Sequence, residues 1–184
     1  MKKNFYKNYF DFFKKTISFS EENLQKIQLV EKLILNIKKN KKKILIFGNG
    51  GSAAIASHFS IDCNNKLKIK CLNFNEASIL TCFSNDYGYE NWVKKALEHF
   101  SEKGDLIILI SSSGESKNMI NASKYAKKKR IKTVTFTGFT KNNTLNKNGD
   151  INVWINSKVY NFIENSHQLL LLSITDSLSN TNIR

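Results

Sequence analysis

A chain of 184 residues, 41% of them apolar, is long enough to bury one ordinary core and too apolar to stay unfolded. It has no run of eighteen apolar residues, which excludes a membrane-spanning helix. The net charge of +14 invites a nucleic-acid reading, but nearly all the cations are lysines, with only Arg130 and Arg184 besides.

The opening, MKKNFYKNYFDFFKK, is broken by charge before an apolar segment develops, so no secretory signal is expected. Phe5 to Phe13 reads as a helix rich in aromatic rings. After the cap-like SFSEEN, the residues Leu24, Ile27, Val30, Ile34 and Ile37 recur at helical spacing. Residues 1–40 thus form a helical extension whose apolar stripe needs a surface to cover it, a fitting element for an oligomer. The lysine runs at 38–43 and 127–130 fall where a helix end should meet a strand, and cations there complement a helix C-terminus. A solvated basic surface is therefore expected rather than a nucleic-acid partner, with a field that still draws in anionic substrates.

From 41 to 184 the pattern alternates. Apolar runs at 43–48, 69–74, 105–111, 132–138 and 150–155 read as strands, and 52–62, 78–84, 90–101, 116–129 and 160–178 read as helices. Strands apolar on both faces that alternate with helices predict an α/β fold, a doubly wound parallel sheet of five strands, as a single domain. Ligands of such sheets sit beyond the carboxyl ends of the strands. Cys63, Cys71 and Cys82 lack paired metal spacing and read as reduced, mostly buried thiols of a cytoplasmic protein. His99, near a helix end, reads as a surface residue.

Two strand-to-helix turns carry the chemistry. In ILIFGNGGSAAIASHF the first strand runs into Gly48, Gly50 and Gly51 and then a helix. Glycines let backbone amides approach a ligand, and a helix start favours an anion. A tight turn without a ligand would use the same glycines. The spacing is neither a dinucleotide fingerprint nor a P-loop. In LIILISSSGESKNMI the third strand runs into Ser111, Ser112, Ser113, Gly114 and Ser116 before a helix. One serine makes a cap, whereas four hydroxyls form a nest of donors for phosphate oxygens. Two such loops on one sheet suggest a phosphorylated polar ligand held between them.

The motifs G-N-G-G-S-A-A-x-A-x-H-F, S-N-D-Y-G-Y and G-D-x-x-I-x-I-S-x-S-G-x-S resemble, in combination and over essentially the whole chain, the sugar isomerase (SIS) domain and within it the bacterial phosphoheptose isomerases. The resemblance implies a cytoplasmic homotetramer that interconverts sedoheptulose 7-phosphate and D-glycero-D-manno-heptose 7-phosphate for lipopolysaccharide or capsule. By position, Ser111, Ser112, Ser113 and Ser116 would hold the phosphate, and Asn49, Gly50, Gly51, Ser52 and Asp86 would face the sugar.

The family's helix after the first loop carries a histidine and, four residues on, a glutamate that serves as base; both reach zinc. Here those positions are His58 and Asp62. In its last helix the family reads I-Q-E-x-H and, five residues later, a second histidine that is acid/base and zinc ligand. Here Ile163 and His167 align, Glu164 takes the place of the glutamine, and Leu172 stands at the second histidine position. The zinc set is thus incomplete, with His58, Asp62 and Glu164 as the remaining candidate ligands. Proton transfer falls to Asp62, Glu164 or His167, which the helical spacing would let converge. The alternative is a non-catalytic SIS module that senses a phosphosugar or binds a protein.

Overall fold

The computed structural model describes residues 4–183, so positions 1–3 and 184 of the two regions drawn above lie outside it. Five strands, β1 (Ile44–Phe47), β2 (Cys71–Leu72), β3 (Leu106–Ser111), β4 (Lys132–Thr137) and β5 (Ile151–Trp154), form an all-parallel sheet in the order β2-β1-β3-β4-β5. Helices α1 (Phe5–Ile17) and α2 (Glu21–Lys39) precede the sheet. Helices α3 (Gly51–Asp62), α4 (Ala77–Tyr87), α5 (Trp92–Phe100), α6 (Lys117–Lys128) and α7 (Tyr160–Leu178) alternate with or follow its strands.

The alternation of side chains along the strands divides the core into two layers. Ile44 and Ile46 of β1 and Leu106, Ile108 and Ile110 of β3 join one cluster with α2, α3 and α7. Leu45, Phe47, Ile107 and Leu109 point the other way, to Trp92, Val93, Ala96 and Leu97 of α5 and Met119, Ala122 and Ala126 of α6. This is why β1 and β3 are apolar at nearly every position: both faces are covered.

The extension divides between two settings. Ser20 caps α2 by accepting from the Asn23 N–H at 3.3 Å, and the α2 stripe Ile27, Val30, Ile34 and Ile37 is buried within the first core layer of the same chain. Leu24, the first residue of that stripe, stays exposed. Helix α1 buries no residue. Tyr9 and Phe13 lean on Phe162 of α7, with ring centroids 4.7 and 5.3 Å away, while Tyr6, Phe10 and Phe12 face outward. The need for an outside surface therefore belongs to α1 and not to the α2 stripe.

Two elements depart from the sequence expectation. The strand expected over 69–74 shrinks to Cys71–Leu72, because β2 pairs with β1 alone and the chain turns away at Lys68 and Phe74, both at φ 56°. Between α3 and β2 the helix widens into a π-helical turn, Cys63–Leu67. All three cysteines are free, with Cys63 and Cys71 buried. Cys82 is the exposed one of the three and lies on α4, which buries no residue. His99 is exposed beside Phe83 and Phe100.

Candidate active site

The carboxyl ends of β1 and β3, neighbours in the sheet, deliver the two loops side by side. In the first loop the glycines answer to close contacts. A Cβ on Gly48 would collide with the carbonyl of Ser52, and one on Gly51 with the Glu164 carboxylate. Gly50, at φ 54°, caps α3 with its backbone, its carbonyl accepting from the Ala53 and Ala54 N–H groups at 3.0 and 3.2 Å. Ser52 is buried in the first turn of α3, whereas Gly50 and Gly51 are exposed at its start.

The second loop is knitted by its own hydroxyls. Ser111 and Ser116 Oγ lie 3.1 Å apart. The Gly114 N–H donates to Ser111 Oγ at 3.2 Å and the Glu115 N–H to Ser113 Oγ at 3.2 Å. A hydroxyl that accepts still has its own proton to give, so Ser113 and one member of the Ser111–Ser116 pair retain O–H donors for an anion. Ser112 Oγ is sealed from solvent with no partner among the described residues, and it is the Ser112 carbonyl that ties this side of the loop, accepting from the Gly138 N–H at 2.9 Å. Gly114, at φ 70°, leaves no room for a Cβ against the Asn143 amide. Glu115, an acid where an anion should bind, is turned aside: its carboxylate accepts from the Thr144 N–H and hydroxyl, both at 2.8 Å.

A residue that sequence reasoning passed over ties the loops together. Asn118, 2% exposed in the first turn of α6, forms a two-way amide pair with Asn49. Asn49 Nδ2 donates to Asn118 Oδ1 at 3.1 Å, and Asn118 Nδ2 donates to Asn49 Oδ1 at 2.8 Å. The Tyr89 hydroxyl also donates to Asn49 Oδ1, at 3.0 Å. Asn49 is thus engaged by protein instead of turned wholly toward a sugar. Asp86, also expected there, is exposed on α4 and accepts from Asn85 Nδ2 at 3.0 Å and Cys82 Sγ at 3.7 Å. From that segment it is Tyr89 that reaches the glycine loop.

The residues expected to carry protons or metal do not converge within the chain. Glu164 stands over Gly51 at the start of α3, half-buried, and burial raises its carboxyl above the usual range. Asp62 lies at the other end of α3, buried, where it accepts from Lys66 Nζ at 3.0 Å and Thr175 Oγ1 at 3.3 Å. Eleven positions separate Gly51 from Asp62, and Glu164 from Thr175. At 1.5 Å per residue that is about 16 Å along the parallel α3–α7 pair. His167, between those ends, has no exposed surface. It meets the Thr137 carbonyl through Nε2 at 3.1 Å, its Nδ1 has no partner among the described residues, and burial pushes its pKa down to about 4. That corrects its expected part in proton transfer: a sealed neutral imidazole reaches no ligand in this chain. His58 is exposed on α3 and Leu172 half-buried on α7. Among the described residues no three His, Cys, Asp or Glu side chains gather closely enough to hold a metal ion. The candidate set His58, Asp62 and Glu164 therefore does not fit a zinc ion within one chain.

Against this geometry the relatives are informative. A sequence profile of the SIS domain matches residues 8–138. The phosphoheptose isomerase of Campylobacter concisus is 32% identical across 97% of both chains. This chain belongs to the SIS-domain family, among the phosphoheptose isomerases. The phosphoheptose isomerase of Aliarcobacter butzleri agrees at 36% identity over 90% of this chain and 89% of the relative. The solved phosphoheptose isomerase of Neisseria gonorrhoeae superposes with a TM-score of 0.78 at 28% identity, over 84% of this chain and 86% of that one. That of Francisella tularensis, at 22% identity, supports the SIS fold with a TM-score of 0.83 over 95% and 98%.

Proposed function

We propose that the chain is a phosphosugar isomerase that converts sedoheptulose 7-phosphate to D-glycero-D-manno-heptose 7-phosphate, in the cytoplasm, for lipopolysaccharide or capsule. The observation that carries this reading is the pair of helix-start loops on adjacent strands. The serine loop offers hydroxyl protons and backbone amides to a phosphate, while the glycine loop opens a place for the rest of the sugar beside an unpaired carboxylate. The aldose–ketose step takes a proton from C1, passes through an enediol and returns a proton to C2. Glu164, with its raised pKa and its place at the loop, suits both halves of that transfer. Leu172 offers no proton where the family has a histidine.

The assembly belongs to the same proposal. Helix α1 buries nothing of its own and borders a groove of about 1170 Å³ lined by Tyr9, Phe12, Phe19, Trp154 and Phe162, which supports a homotetramer with N-terminal helices between subunits. A centre holding both Glu164 and Asp62, and any zinc ion bound between them, would need two copies of the chain, since one copy holds them at opposite ends of α3–α7.

Calorimetry with sedoheptulose 7-phosphate tests the binding half. Ser113→Ala with Ser116→Ala should weaken binding severely, and unchanged affinity would overturn the phosphate assignment. Heavy water tests the chemistry, with solvent deuterium expected at the carbon next to the carbonyl. A second reading, a phosphosugar sensor, is favoured by Leu172 and by the sealed His167. Tight binding without deuterium exchange, with and without added zinc, decides for it.

A further inference from the structure

The Asn49–Asn118 pair is the one place described above where a side chain of one loop bonds directly to a side chain at the other. Its stoichiometry is saturated on the acceptor side. Asn49 Oδ1 takes Asn118 Nδ2 and the Tyr89 hydroxyl, and Asn118 Oδ1 takes Asn49 Nδ2 and the Met119 N–H at 3.1 Å. A carboxamide oxygen has two lone pairs, so neither can accept further, while each Nδ2 keeps one N–H not used by the pair. With Asn118 buried and Asn49 half-buried, amides joined both ways are costly to separate, because parting them would leave polar atoms without partners. The pair therefore fixes the β1 loop against the first turn of α6, the turn that begins with Ser116.

We propose that Asn118 is a positioning residue. It sets the distance between the phosphate loop and the glycine loop, and so makes the site select a phosphate joined to a polyol over a phosphate alone. The proposal rests on reading residues 111–116 as the phosphate site. Inorganic phosphate needs only that one loop, whereas a sugar phosphate must satisfy both at once, and a misplacement of about 1 Å in such a span can cost about a hundredfold in rate.

The test compares inorganic phosphate with sedoheptulose 7-phosphate on wild type, Asn118→Ala, Asn49→Ala and the double variant, with melting curves to show that each is folded. For Asn118→Ala, inorganic phosphate affinity should stay within about twofold while sugar-phosphate affinity falls about tenfold or more. The two alanine changes should be strongly non-additive, since either one dissolves the same pair. Asn118→Asp supplies a second arm if the alanine variant is unstable. Its ionised carboxylate cannot donate to Asn49 Oδ1, but the protonated acid can, so its sugar-phosphate affinity relative to wild type should recover on acidification, and that of the alanine variant should not. An equal loss for both ligands, additive single variants, or an aspartate variant blind to pH each overturns the positioning role. Wild type that binds neither ligand overturns the phosphate reading beneath it, and the two failures are thereby told apart.

Discussion

The parallel helices α3 and α7 carry a carboxylate at each end of their contact, and the two ends have different electrostatics. At the loop end Glu164 faces Gly51 and the start of α3, with no cation paired to it among the described residues and its pKa raised by burial. At the far end Asp62 is tied by Lys66 and Thr175, and the Asp62 hydrogen bond holds the Lys66 ammonium above its ordinary range. A half-buried carboxylate whose pKa burial has raised is poised to exchange a proton with a ligand. Neighbours, more than residue type, distinguish the carboxylate at the loops from the one at the far end of α3.

The largest expected effect breaks the loop end. Glu164→Gln keeps the shape and removes the exchangeable proton, so deuterium incorporation should fall by about 10²–10⁴-fold while sugar-phosphate affinity changes little. A variant that retains the wild-type exchange rate would remove Glu164 from the chemistry. Asp62→Asn sharpens the comparison by asking whether the far end serves the centre of another copy. If it does, both variants are inactive alone. Co-refolding them in equal amounts should then restore about a quarter of wild-type activity, because each centre draws its two carboxylates from different copies. No recovery on mixing, with Asp62→Asn active by itself, would confine Asp62 to a stabilising role.

Next in size are the glycines that bring Glu164 to the loop. Gly48→Ala drives a Cβ into the backbone of Ser52, which cannot swing aside, and should destabilise by about 3 kcal/mol or more. Gly51→Ala meets only the far end of the Glu164 side chain, so urea titration should show a smaller loss while exchange falls sharply. Equal destabilisation by both would mean that Glu164 is held as rigidly as backbone.

This contrast marks what could be read from residues alone. Apolar runs flanked by glycine or serine placed four strands to within a residue or so at each end, and the two loops were visible because their composition is their chemistry. The division between Glu164 and Asp62 was not visible. Spacing along one helix says which side chains share a face, but the pairing of α3 with α7 is a tertiary fact, and it sets which end meets which. Asn118 was hidden for a similar reason: it is an ordinary polar residue in a first helical turn until the parallel pairing of β1 with β3 sets Asn49 opposite it. The π-helical turn at Cys63–Leu67 has no compositional mark at all.

His167, between the two ends, predicts a stability effect of middle size. Its pKa is lowered to about 4, chiefly by burial against the opposing hydrogen bond to the Thr137 carbonyl, from an ordinary value of 6.5. Between those values the unfolded chain binds the proton and the native chain does not, so stability falls as pH drops through 6.5 toward 4. The part due to His167 should be about 2 kcal/mol between pH 7 and pH 5. His167→Gln keeps an N–H for the Thr137 carbonyl and removes the titration, so its stability should decline less over that range in urea titrations. An identical pH slope in both proteins would show that the imidazole takes up its proton as readily in the native chain as in the unfolded one.

The smallest effects test the far end itself. Thr175 Oγ1 is buried and shares its proton between Asp62 and the Leu172 carbonyl, 3.3 and 2.8 Å away. Thr175→Val leaves a buried carboxylate oxygen short of a donor at nearly constant volume, and should cost about 1 kcal/mol at any salt concentration. Lys66→Met also takes a donor from Asp62, but that ammonium is exposed to solvent, and water can replace it. Its loss should be smaller than that of Thr175→Val at low salt and should vanish near 1 M salt, where exposed pairs are screened. Denaturant titrations of the two variants at both salt concentrations separate a buried tie from a surface one. If Lys66→Met proves the more costly and is indifferent to salt, Asp62 depends on its cation far more than its position suggests.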